Sequence, residues 1–379
     1  MSTAVASSSL ARPADRCRIC LQPSLRSFLD LGSQPPANAL LDESALDAAE
    51  DCFPLALATC STCELIQLTH VVAPELLFRH YLYFSSMSAR MTRHFADYAD
   101  EVAQRFVPPG GLVVEMGSND GILLQAFRGR DVRILGVDPA VNVAEQAREA
   151  GVPTVADFFG EHVARTIVAE HGRAAAILGN NVFAHIDDLH GVMRGVDALL
   201  APDGVMVLEF PYVVDLLEHL EFDTVYHEHV SYLGTRPLAH LLGQYGLEIF
   251  EVRSQDVHGG SIRVFSRRRG ARDGLLHESV AAYDALERQA GTADPLRLDR
   301  FAADVAALRL ELRRTIAEIV AKGQRVVGYT APAKGTVLLN YCGIDASQIN
   351  PQCAPPSDRP RIALSSVIIS CTTRRSPGV

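Results

Sequence analysis

Hydrophobic positions between residues 111 and 210 fall into short blocks separated by polar turns, and the blocks alternate in period. Val113, Val114 and Met116 read as the end of a buried strand, GSNDG at 117–121 as a sharp turn, and Ile122 to Phe127 as a helix opening. Arg133–Val137, Val152–Val155, Ala174–Leu178 and Val205–Phe210 have strand character, and Asn142–Glu149 has helical spacing. Strands alternating with helices predict an α/β fold with a parallel sheet covered on both faces, in which ligands bind outside the carboxyl ends of the strands. Glu115, Gly117, Ser118, Asn119, Asp120, Gly121, Asp138, Pro139, Asp157, Asn180, Asn181 and His185 are all expected near that edge.

The turn after the first of these strands is ExGxxxG rather than GxGxxG, which argues against a dinucleotide. Its glycines allow close backbone approach, and Asp138 at the end of the next strand can accept hydrogen bonds from both ribose hydroxyls. A ligand with a ribose and an amino acid but no pyrophosphate, such as S-adenosylmethionine, suits this pattern. Asp157 is then placed for the adenine amino group, and Asn180 with Asn181 for the methionine part. Another nucleotide, or a plain structural turn, remains open on this pattern alone.

The chain has 379 residues, more than one core usually holds, and its net charge of −10 argues against nucleic acid or an anionic membrane as the main partner. No apolar run reaches bilayer length, and residues 1–14 lack a secretory pattern, so a disordered tail and a cytoplasmic location are expected. Cys17 and Cys20 (CRIC) with Cys60 and Cys63 (CSTC) form a CxxC…CxxC set, the donor pattern of a structural tetrahedral zinc site. A disulfide is the competing reading, disfavoured in a reducing compartment. Cys52 is expected to be a buried small apolar residue.

Several further stretches carry candidate chemistry. Glu75–His80 looks helical, and the hydroxyls of Tyr81, Tyr83, Ser85, Ser86 and Ser88 precede another helix, either as core and capping groups or as a wall facing a polyhydroxylated ligand. Tyr226, His227, Glu228 and His229 are consecutive. Their spacing is not HExxH, which leaves acid–base catalysis beside a carbonyl, a structural polar cluster or another metal site. Arg263 follows paired glycines as a possible anion contact. Residues 274–319 read as helical, with Leu308, Leu310, Leu312 and Ile316 on one face. Arg325–Tyr329 then predicts a strand followed by a turn whose Lys334 can meet a diphosphate, or can simply close the turn.

In order along the chain, the four-cysteine module, DLGSQPPAN, YLYFSSMS, EMGSNDGILL, NNVFAHIDD, YHEHVSYL, HGGSIRV and GYTAPAKGTVLLNYCGI resemble the zinc-containing, S-adenosylmethionine-dependent nucleotide-sugar C-methyltransferases. The likeness covers roughly residues 15 to 345. It implies a zinc module at 15–75, a Rossmann-like class I methyltransferase domain at 76–265, and a C-terminal α/β domain at 266–345 that holds the nucleotide diphosphate, Tyr329 and Lys334 among its contacts. It also implies that Tyr81 or Tyr83, His185, Tyr226, Glu228 and His229 surround a keto-deoxysugar carried by a nucleotide such as thymidine diphosphate. A C4 ketone acidifies the C3–H, so the expected roles are His229 as base, Tyr226 as oxyanion donor, Glu228 as orienter and His185 as reserve base. O- or N-methylation with the same cofactor turn is the alternative. A monomer or a dimer is compatible with the sequence. Beyond Ile344 the resemblance fades into a Pro-, Ser-, Arg- and Cys-rich stretch, 346–379, which reads as an altered, poorly ordered end to an incomplete second Rossmann-like domain; Cys353 and Cys371 suggest no chemistry there.

Overall fold

The structure is a computed structural model that describes residues 10–39, 49–78, 89–257, 259–271, 275–328, 333–345, 347–351 and 370–372. Tyr81, Tyr83, the serines beside them and Tyr329 lie outside the described residues.

The N-terminal module is antiparallel. β1 (Ala11–Pro13) pairs with β5 (His70–Val72), while β2 (Leu25–Gln34), β3 (Phe53–Cys60) and β4 (Ile66–Leu68) form a meander. The strand at Ala11–Pro13 falls within the stretch expected to be a tail; its backbone is tied down by the register Arg12 to Val71. Cys52 is exposed just before β3, not buried as expected, because the strand register begins at Phe53, whose side chain takes the inward position. After α1 (Pro74–Phe78), the amphipathic α2 (Ala89–Phe106) buries Phe95, Tyr98, Ala99, Val102 and Phe106 against the central sheet.

That sheet follows from the apolar blocks. β6 (Gly111–Met116) is buried at every position but its first, as a parallel strand covered on both faces must be. α3 (Ile122–Gln125) is a four-residue helix, shorter than the expected run, and Ala126 and Phe127 close it by turns to Leu123 and Leu124. β7 (Val132–Val137) and α4 (Val141–Glu149) follow. β8 is confined to Thr154–Val155, because Pro153 has no N–H for the ladder and contributes only its carbonyl, to Gly136. α5 (Glu161–His171), β9 (Ala174–Asn180), α6 (Leu189–Leu199) and β10 (Leu200–Pro211) complete the parallel part. The chain continues through α7 (Val213–Glu218), β11 (Ser231–Tyr232) and α8 (Thr235–Gly243) to the hairpin β12 (Leu247–Gln255) and β13 (Ser261–Arg268). The seven-stranded order is β12-β13-β10-β9-β6-β7-β8, with β13 antiparallel to both its neighbours. β11 leaves this domain and pairs with β4, extending the N-terminal sheet to β11-β4-β3-β2.

The helical stretch after residue 274 is two helices. α9 (Glu278–Ala290) ends at Gly291 in the left-handed conformation, and α10 (Pro295–Ala321) restarts with Asp294 capping Leu296 and Pro295 in the first turn. Leu298, Phe301, Val305 and Ile316 form its buried stripe, and Phe301 packs edge-on against Phe28 of the N-terminal sheet. Leu310 is 68% exposed rather than sharing a face with Leu308 and Leu312, since two residues along a helix turn a side chain away. β14 (Arg325–Gly328), α11 (Ala333–Cys342) and β15 (Ile349–Pro351) make a parallel strand–helix–strand unit, joined by antiparallel β16 (Ser370–Thr372). Two short pieces of the stretch expected to lack order therefore pair with β14. No described helix is long and apolar enough to cross a membrane.

Candidate active site

The turn after β6 is held in an unusual shape. Gly117, Asn119 and Gly121 all have positive φ, and a side chain at Gly117 would meet Val182 at 2.5 Å. Asp138 links the first two strand ends: its Oδ2 accepts from the Asn119 N–H at 2.8 Å and its Oδ1 from the Ala140 N–H at 2.9 Å. Pro139 lies between the two anchored points. Glu115 is buried, accepts from Asn180 Nδ2 at 3.0 Å, and its carboxyl is pushed well above the usual carboxylate range by burial. Asp157 is exposed beyond β8, one oxygen accepting from the Phe158 N–H.

Four buried polar atoms at this edge, Glu115 Oε2, Ser118 Oγ, Asn180 Oδ1 and Asn181 Oδ1, have no hydrogen-bond partner among the described residues. Buried polar groups are otherwise satisfied in folded proteins, so this cluster fits a polar ligand. S-Adenosylmethionine carries the ammonium and hydroxyl donors that these acceptors lack, so the residues present fit that cofactor.

The second group lies around a 3₁₀ turn at Phe222–Thr224 and the loop after it. His229 Nδ1 donates to the Thr224 carbonyl at 2.9 Å, which can only accept; this assigns the proton to Nδ1 and leaves the lone pair on Nε2. The Tyr226 hydroxyl donates to that Nε2 at 2.8 Å. The His185 ring stands edge-on to His229, centroids 4.8 Å apart, and packs against Phe78 on its other side. Its ring nitrogens have no hydrogen-bond partner among the described residues, and burial pulls it down to about 4, so it is a neutral imidazole at neutral pH.

Glu228, expected to orient His229, instead accepts from Asn38 Nδ2 at 2.6 Å, and the Thr224 carbonyl holds the imidazole. His227 turns the other way, its Nε2 donating to the Phe53 carbonyl at 3.2 Å. The two histidines of HEH therefore diverge, and among the described residues the four cysteines are the one group of three or more His, Cys, Asp and Glu side chains gathered closely enough for a metal. Arg263 also differs from expectation. It is 3% exposed within β13, donates to Glu209 and Glu101, and lies 3.5 Å over the Tyr98 ring, so its anion partners are internal. Lys334 sits in the first turn of α11 facing Glu221 and Asp223, close to the loop that carries Tyr226.

The four cysteine sulfurs lie within 4.8 Å of one another, with Cys17–Cys63 at 3.3 Å and Cys20–Cys60 at 3.4 Å. Zinc–sulfur bonds of about 2.3 Å in a tetrahedron require sulfurs about 3.8 Å apart, inside this spread. The Ile19 and Thr62 N–H groups point at Cys17 and Cys60, donors that favour thiolates.

Fold and site together define an S-adenosylmethionine-dependent methyltransferase with a four-cysteine zinc module. Residues 17–78 match a zinc binding domain, 87–252 a methyltransferase domain, and 256–356 the C-methyltransferase C-terminal domain. The C-methyltransferase NovU of Streptomyces niveus is 40% identical over 341 residues, 90% of this chain and 81% of that protein. The chain belongs to this C-methyltransferase family, which sets aside the O- and N-transfer alternative. Solved structures with a similar fold include magnesium protoporphyrin IX methyltransferase of Synechocystis PCC 6803 with bound SAH (14% identity, 50% of this chain and 88% of that one, TM-score 0.38) and CcbJ of Streptomyces caelestis (15% identity, 47% and 90%, TM-score 0.36). The C-terminal match extends to residue 356, past Ile344, where the motif resemblance ends.

Thr224, Asn38 and Phe53 are site residues that sequence reasoning missed. Two of the three act through backbone carbonyls, which leave no residue-type signal; Asn38 stood within a recognisable PPAN turn but far along the chain from its partner.

Proposed function

We propose that the enzyme methylates C3 of a nucleotide-linked 4-keto-deoxysugar, thymidine diphosphate being the favoured carrier, through an enolate formed by the Tyr226–His229 pair. The observation that carries this reading is the Thr224–His229–Tyr226 hydrogen-bond chain, in which the carbonyl takes the Nδ1 proton and the phenol meets Nε2, the nitrogen that acts as base in this reading. A substrate C4 carbonyl competes for the Tyr226 hydrogen. When the phenol turns to that oxygen, Nε2 is released to take the C3 proton, and the same phenol stabilises the developing oxyanion. S-Adenosylmethionine, when bound, supplies the electrophilic methyl group. His185, neutral and without a hydrogen bond among the described residues, lines the same space as a second base or as the wall that excludes water. Glu228, Tyr81 and Tyr83 complete the sugar pocket in this reading, and Lys334 with Tyr329 meets the diphosphate.

The test is deuterium wash-in at C3 of a thymidine-diphosphate 4-keto-deoxyhexose, with S-adenosylhomocysteine replacing the methyl donor. The parent enzyme should exchange that proton, and His229→Asn should slow exchange by roughly 10²- to 10⁴-fold while still binding S-adenosylhomocysteine. No exchange above background by the parent, or full exchange by the variant, rejects the base assignment.

A further inference from the structure

Among the described residues the His185 imidazole makes no hydrogen bond that would fix its angle, and His229 sits on a loop rather than in an element. Their relative placement must therefore come from what holds the two backbone segments. Both lead to the same residue of the zinc module. Arg18 lies between Cys17 and Cys20, and its side chain is 4% exposed. Its Nε donates to Asp187 Oδ1 at 2.9 Å, two residues after His185. Its Nη1 donates to the Leu68 carbonyl at 3.2 Å, and the Leu68 N–H donates to the Val230 carbonyl at 3.0 Å, one residue after His229. The Arg18 N–H donates to Gln67 Oε1 at 2.9 Å, and Gln67 pairs with Ser231 across the sheet. The same knuckle reaches the His185 side again, since His190 Nε2 donates to the Ile19 carbonyl at 2.9 Å.

We propose that Arg18 is a positioning residue for methyl transfer: its guanidinium, held between two zinc ligands, ties the segment after His185 to the strand that carries the segment after His229. This rests on the functional reading above, in which those histidines face the acceptor. The zinc module is thereby a jig for the acceptor site, and the side-chain partners of Arg18 among the described residues, Asp187 and the Leu68 carbonyl, lie outside the cofactor turn. A forked, planar side chain is needed because two acceptors in different directions are met by two nitrogens of one group; lysine keeps the charge but not the fork.

The experiment compares Arg18→Lys, Asp187→Asn and the double variant, each zinc-loaded and counted by metal analysis. S-Adenosylhomocysteine titration gives the fraction of competent sites, and turnover of a thymidine-diphosphate 4-keto-deoxyhexose is expressed per site. Each single variant should keep one zinc per chain and cofactor affinity within about twofold, while turnover per site falls about 10- to 100-fold, the cost of a displacement near 1 Å. The double variant should lose no more than the worse single one, since both break one link. Turnover per site within twofold of the parent in Arg18→Lys, or cofactor affinity falling in step with turnover, overturns the positioning role. His229→Asn run alongside separates the two readings. If that variant keeps turnover, the acceptor-site assignment falls; if it loses turnover while Arg18→Lys does not, only the positioning role falls.

Discussion

Replacing Gly117 by alanine adds one methyl group at the point where the cofactor turn meets the segment leading to His185. The residue has φ of 65°, and the new Cβ would lie 2.5 Å from Val182 Cγ2 and 2.8 Å from Val182 Cβ. A non-glycine residue in that left-handed region costs about 1–2 kcal/mol, and forcing a methyl into packed surroundings costs about 1–3 more. Van der Waals contact between carbons needs about 3.5–4 Å, so the turn and Val182 must part by roughly 1 Å. Val182 has little room to yield, because its neighbour Asn181 already has positive φ and its other neighbour, Phe183, is fully buried. The displacement therefore falls on the turn itself. If half of a total near 4 kcal/mol appears in binding, S-adenosylhomocysteine affinity drops roughly 30-fold. Isothermal titration calorimetry of both proteins, with unfolding midpoints to confirm that the variant is folded, measures it. Affinity within twofold of the parent, in a folded variant, would refute the claim that this contact sets the cofactor site.

Three other outcomes follow from packing and protonation. Glu287 is buried and accepts from the Thr235 N–H, Thr235 Oγ1, the Arg236 N–H and the Tyr212 hydroxyl, so Glu287→Ala strands all of these donors and should cost about 3–5 kcal/mol in urea unfolding. His185 is held near 4 in the folded protein against 6.5 for an ordinary histidine, so the folded state binds fewer protons between those values. Stability should therefore be intact above pH 6.5 and fall as the pH drops, by about 2 kcal/mol at pH 5 relative to His185→Asn, read from urea midpoints of the two proteins. Alkylation of the native zinc-loaded protein should modify the exposed Cys52 and spare Cys17, Cys20, Cys60 and Cys63 until a chelator is added; equal labelling before chelation would contradict a closed metal site.

What the chain disclosed about itself depended on whether a role belongs to a residue type or to a place. The apolar runs at Val113–Met116 and Ala174–Leu178 announced buried parallel strands, and the cysteine spacing announced its own cluster. Pro153 shortened a strand for a reason visible in the sequence, yet the run around it read as continuous. Cys52 reads as apolar by type but stands one residue outside the strand. Arg263 looked like a ligand for a substrate anion because nothing in the sequence says that Glu209 and Glu101 lie beside it. Arg18 was overshadowed by the cysteines on either side of it, and its partner Asp187 is 169 positions away.

The order of the central sheet sets a limit on cutting this chain. β13 lies between β10 and β12, and it falls on the far side of the boundary between the match at 87–252 and the match at 256–356. A fragment expressed as the methyltransferase match alone would carry β12 only as far as Val252 and without the strand that attaches it, and would leave the β10 edge bare over the seven residue pairs from Val205 to Pro211. Long uncovered apolar edges recruit other chains. Swapping parts between relatives would thus work only at joints placed after Arg268, and a library built on the sequence-family border would select for aggregation rather than for new acceptors.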